Sequence, residues 1–148
     1  MAEAAPQGTE GVAAVPTPYT AERVLSVARG LIRDPKAWLP GPHLAVAEGG
    51  TWASWGSPRA VAWSGLGALH RALSWPDGLD GQRREWAEVE SVYDACKGYL
   101  DYAAGKLFPS AGGFTRVSET AGHAAILAVL TLAATFAKRD QEKAAGHG

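Results

Sequence analysis

Between Ser57 and Trp75 the chain carries only two formal charges, Arg59 and Arg71, so nearly the whole stretch is fit for burial. Ala62, Leu66, Leu69 and Leu73 recur at helical spacing, with Gly65 and Ala72 beside them. A second face carries Trp63, Gly67 and His70. Ser57 is a good N-cap and Pro58 suits the first helical position, where a missing N–H costs nothing. The pattern predicts a central helix from Pro58 to about Trp75, with Gly65 and Gly67 letting other elements come close.

A chain of 148 residues, 47% hydrophobic and 20% charged, is one globular domain's worth and can bury a sizeable core. Residues 1–18 are rich in Ala, Pro, Gly and Thr and cannot bury enough surface to offset their ordering entropy, so they read as a flexible tail. A helical domain follows over 19–139, and a polar tail over 140–148. The first helix is expected from about Ala21 to Arg33, on a stripe of Val24, Ala28, Leu31 and Ile32, and Asp34-Pro35 ends it. Residues 36–56 are irregular, with a short strand over His43–Glu48. Gly49-Gly50 then forms a hairpin turn into Thr51–Trp55.

A long amphipathic helix is expected from about Gln82 to Ala104. Trp86, Val89, Tyr93, Cys96, Leu100 and Ala103 face inward, Glu90, Asp94, Lys97 and Asp101 face outward, and Gly105 stops it. A loop over 106–119 leads to a last helix, Thr120–Ala137, with Ile126, Val129, Leu130 and Ala133 inside. The predicted architecture is therefore mainly α: four helices around a central apolar one, with an irregular or β-hairpin insertion between the first two. Thr120–Ala137 holds no formal charge for eighteen positions, yet its Ala-rich run with His123, Thr131 and Thr135 suits a buried helix better than a membrane span.

A net charge of -1 makes no electrostatic case for nucleic acid or an anionic membrane. Met1–Gly8 shows neither a basic region nor an apolar core, so a cytoplasmic location is expected. The single cysteine, Cys96, excludes an internal disulfide, and its place between Tyr93 and Leu100 reads as a small buried hydrophobe. His43, His70 and His123 would have to converge from three elements to hold a metal, so no metal and no cofactor are expected. Gly65-Leu66-Gly67 lies inside a helix and is no phosphate loop. Ser118, Glu119 and His123 could form a catalytic grouping. Capping of the last helix by Ser118 or Thr120, with Glu119 at its positive end, is the simpler reading.

Two segments resemble a family of small uncharacterised helical proteins of bacteria and their viruses. Ala60–Leu69 is similar to that family's box of Ala-Val, Trp, Cys and Gly-Ala-Leu, with Ser64 where cysteine is usual. Val117–His123 is similar to its Trp-Asn-Asp turn before the final helix, with Val117-Ser118-Glu119 in place of those three residues. The resemblance spans about Ala21 to Lys138 and implies a helical fold without implying an activity.

Two kinds of function remain. The first is a non-catalytic module that binds a protein partner or self-associates, using Trp52 and Trp55 as aromatic anchors beside the acids Glu90, Asp94 and Asp101. The second is a small-molecule site or enzyme with a pocket formed by Trp63, Gly67, His70, Glu119 and His123.

Overall fold

A computed structural model describes residues 19–54, 56–74 and 84–147. The proposed N-terminal tail, Trp55, Trp75 and the turn at Pro76-Asp77-Gly78 lie outside the described residues. Five α-helices and three short strands are present among those described. In chain order they are α1 (Ala21–Leu31), β1 (Ala45–Ala47), β2 (Trp52–Ala53), β3 (Ala60–Trp63), α2 (Gly65–Leu73), α3 (Trp86–Leu107), α4 (Phe114–Thr120) and α5 (His123–His147).

The first helix forms as its sequence predicts. Thr20 caps it by accepting from the Arg23 N–H at 3.3 Å, and Val24, Leu25, Ala28 and Ile32 are fully buried. Asp34 then accepts from the Lys36 N–H at 2.9 Å and opens a single 3-10 turn, Pro35–Ala37. The hairpin also forms. Gly49 and Gly50 both hold φ of 89°, a conformation open to glycine at no steric cost, and β1 and β2 pair antiparallel on either side.

The expected central helix is corrected at its N-terminal half. Ala60–Trp63 is a strand, paired antiparallel with β1 to give the order β2-β1-β3. Val61 is 49% exposed while Ala62 is buried, an alternation with period two. Ser57 and Pro58 serve a turn instead. The Ala60 N–H reaches the Ser57 carbonyl at 3.1 Å, and the Arg59 N–H reaches the Ser57 hydroxyl at 3.1 Å. The helix starts one strand later, with Ser64 as its N-cap, accepting from the Gly67 N–H at 3.0 Å.

The short α2 is enclosed, with Gly65, Gly67, Ala68, Leu69, Ala72 and Leu73 all buried. It packs most broadly on α1, but the widest helix contacts are α1 on α5 and α3 on α5. These three longer helices form the frame, and α2 fills it. Both glycines of α2 are required by close approach. A Cβ on Gly67 would collide with the Leu44 carbonyl, and one on Gly65 would lie 2.9 Å from Ile126 Cγ2 and 3.3 Å from Phe114.

Further corrections fall at helix ends. Trp86, expected to face inward, begins α3 and is 73% exposed. The chain already meets the body two residues earlier, where the Arg84 guanidinium lies 4.1 Å from the Tyr19 ring centroid. Trp86 is turned to solvent, while Cys96, Leu100, Ala103 and Ala104 farther along are buried. Gly105 does not stop α3, which continues to Leu107. The expected loop over 106–119 contains α4, whose first amide, Phe114 N–H, donates to Asp101 Oδ1 at 2.9 Å. The last helix begins at His123, not Thr120, and runs on to His147, so the polar stretch from 140 is helical. Its inner face is Ile126, Val129, Leu130 and Ala133, as periodicity predicts. No helix among the described residues is long and apolar enough to cross a membrane.

None of the four described tryptophans is among the fully buried core side chains. Trp38 and Trp63 pack against it half-buried, Trp52 is 62% exposed, and the largest fully buried side chain is Phe114. The packing at α2 yields a contrast between two glycines. Gly67→Ala should lower unfolding free energy by at least about 3 kcal/mol, because backbone must move. Gly30→Ala, with nothing within 4 Å of the added Cβ, should raise it by about 0.5–1 kcal/mol. Urea titration of the two variants measures both.

Candidate functional site

Buried polar side chains gather at the N-terminus of α2, where Ser64 and Ser118 are both sequestered from water. A helix N-terminus leaves backbone N–H groups without intrahelical partners. Ser64 takes that of Gly67, and Ser118, arriving from α4, takes that of Leu66 at 2.9 Å. Ser118 therefore caps α2 rather than α5. Thr120 caps neither, since its hydroxyl donates back to the Arg116 carbonyl at 2.7 Å. Glu119 lies in the last turn of α4, 3.7 Å from Arg116. The two serine hydroxyls are engaged in holding the fold, so this junction is a joint and offers no exposed nucleophile.

The residues expected to line one pocket make different described contacts. The His70 ring stacks on Tyr93 of α3, with centroids 5.6 Å apart. Burial first, and the Lys97 ammonium second, hold its pKa below the ordinary histidine value. His123 sits elsewhere, its ring 5.2 Å from that of Trp38 and its Nε2 2.6 Å from the Ile32 carbonyl. A carbonyl only accepts, so Nε2 carries the proton and is not available as a base. Trp63 adjoins Trp38 through a parallel backbone bridge, and Gly67 is closed off by Leu44. Trp63 and His123 thus come near each other by way of Trp38, while the described contacts of His70 and Glu119 are with Tyr93 and Arg116.

Cys96 is fully buried, and burial pushes its thiol up to about 12. At neutral pH it is a thiol and no nucleophile. Among the described residues no group of three or more His, Cys, Asp or Glu side chains comes together as a metal site would require.

The partner-facing residues divide in a similar way. Trp52, at the sheet edge, is exposed and stacks on His43 with ring centroids 3.7 Å apart. Trp55 is outside the described residues. Glu90 and Asp94 are exposed on α3. Asp101 is exposed on α3 as well, and one of its carboxylate oxygens, Oδ1, accepts from the first amide of α4.

An open groove of about 600 Å³ between α3 and α5 was not anticipated. Ala95, Gly98, Tyr99 and Tyr102 line it from α3, and Phe136, Arg139, Asp140 and Lys143 from α5. The Tyr99 hydroxyl donates to Asp140 Oδ2 at 2.8 Å, joining its two walls. Burial first, then that bond and the carboxylate charge, raises the Tyr99 pKa above the usual phenol value. Tyr102 tilts over Phe136 with centroids 5.0 Å apart, and Lys106 Nζ lies 5.2 Å from the Tyr102 centroid. The groove therefore joins an aromatic lip to a rim of cations. Its only advance signal was Tyr99 and Tyr102 lying outside the apolar stripe of α3.

Compared with family models, curated proteins and solved structures, the chain matches none.

Two measurements check these environments. Cys96 should resist a disulfide reagent at pH 8 for as long as the protein stays folded, and react fully in denaturant. A histidine with a depressed folded pKa supports the fold above its unfolded value near 6.5 and loses that support as pH falls through the folded value. Stability should therefore decline as pH falls below about 6.5, and His70→Gln should flatten part of that slope in urea titrations at each pH.

Proposed function

We propose that the chain is a non-catalytic protein-binding module whose contact surface is the groove between α3 and α5. The observation that carries this reading is Tyr102, 54% exposed at the groove's lip and backed by Phe136. Aromatic anchors within a charged rim are what protein interfaces use, and a few such side chains supply most of the binding free energy. Arg139, Lys143 and Lys106 furnish the rim. The groove is open, which suits a helix or a folded surface better than a small molecule, which a pocket would enclose.

Trp52 with His43 is a second aromatic contact at the sheet edge. A cytoplasmic setting belongs to the same reading. So does kinship with the small helical proteins of bacteria and their viruses. Its support is that the two segments carrying the resemblance meet at the α2 N-terminus through the Ser118–Leu66 bond. A small-molecule site built on Trp63, Gly67, His70, Glu119 and His123 is less favoured, because those groups face different neighbours.

A photo-cross-linking amino acid in place of Tyr102 should give discrete protein adducts in living cells, and one in place of exposed Asp34 should not. Tyr102→Ala should abolish partner recovery with little change in thermal stability. Equal labelling at both positions, or none at Tyr102 and Trp52, would refute the binding reading.

A further inference from the structure

The outward side of α3 is unusual for an exposed helix. Ser91, Ala95, Gly98, Tyr102 and Gly105 follow one another at three- and four-residue steps, and a Cβ on either glycine would have nothing within 4 Å. The line is flat and without charge, and it runs along the groove. Its two flanks carry opposite charge. On the α4 side lie Asp94 and Asp101, and that side is identified by Asp101 capping Phe114 and by Lys97 Nζ donating to Thr115 at 3.0 Å. Glu90, one turn before Asp94, extends the acidic flank. On the α5 side lie Arg139 and Lys143, with the only groove acid, Asp140, engaged by Tyr99.

Resting on the binding reading above, we infer that the partner is a second copy of this chain, docked with α3 parallel to α3 about a two-fold axis running along the helices. The charges decide the direction. An axis along the helices turns the acidic flank of one copy onto the basic flank of the other, while an antiparallel pairing would set acid on acid and base on base. Heights match as well. Within one copy α3 and α5 run antiparallel, Tyr99 lying against Asp140 and Tyr102 against Phe136. Lys143 is therefore level with Ala95 and Arg139 with the Gly98–Tyr102 turn. In the parallel dimer Asp94 meets Lys143 of the second copy, and Asp101 meets Arg139. The glycines let the two helices approach closely, and each Tyr102 enters the groove of the other copy. Such an interface is self-complementary, as closed two-fold dimers require.

Sedimentation equilibrium on the full chain tests this. Twice the chain mass is expected at micromolar concentration. Asp94→Lys and Lys143→Asp should each weaken dimerisation by about tenfold or more, and combining them should restore it. Both positions are exposed, so circular dichroism should be unchanged. Ser91→Cys distinguishes the direction: it should cross-link to its own counterpart on oxidation in the parallel dimer, where an antiparallel one would place it against residue 105. A monomer at every concentration, a dimer without charge-swap rescue, or failure of the Ser91→Cys cross-link would overturn the inference. Adducts to other proteins at position 102 would still leave the binding reading standing.

Discussion

The start of α2 is where this fold is tied together. A nine-residue helix entering the interior brings amide groups that water can no longer reach, and each must find an acceptor. Ser64 answers from within the same stretch, and Ser118 answers from α4. The Leu44 carbonyl accepts from the Ser64 N–H at 3.1 Å and leaves no room for any residue but glycine at position 67. Sheet, α2, α4 and α5 thus share one point, since Gly65 also packs against Ile126 and Phe114.

That arrangement determines where chemistry can and cannot occur. The two buried serine hydroxyls are consumed by capping, and the buried thiol is held protonated. Each histidine with a described environment is engaged by a neighbour: His43 by Trp52, His70 by Tyr93, and His123 by Trp38 and the Ile32 carbonyl. Among the described residues, Trp52, Trp86 and Tyr102 are left to solvent, together with the uncharged outer line of α3. On the reading proposed above, these exposed groups are the surface that recognises a partner.

Local signals were legible where one strong rule acted alone. The stripe of α1, the paired glycines of the hairpin and the inner face of α5 all appear where periodicity places them. Ala60–Trp63 was misread because Ala-Val-Ala-Trp fits both a helical and an alternating period, and Ser-Pro just before it imitates a helix start. Pairing with β1, a tertiary event, decided the outcome. Seven-residue α4 gives too short a pattern to detect, and its cap, Asp101, lies on another helix. The groove combines residues about forty positions apart, so no window on the sequence contains both of its walls.

Leu66 and Gly67 are adjacent amides held by acceptors of very different origin. One is three residues away and the other fifty-two. The Gly67 proton can be shielded as soon as α2 winds, whereas the Leu66 proton gains its shield only after the distant α4 segment has docked. Side by side on the chain, the pair reports two separate moments in the life of the molecule: the winding of a turn and the closing of the whole.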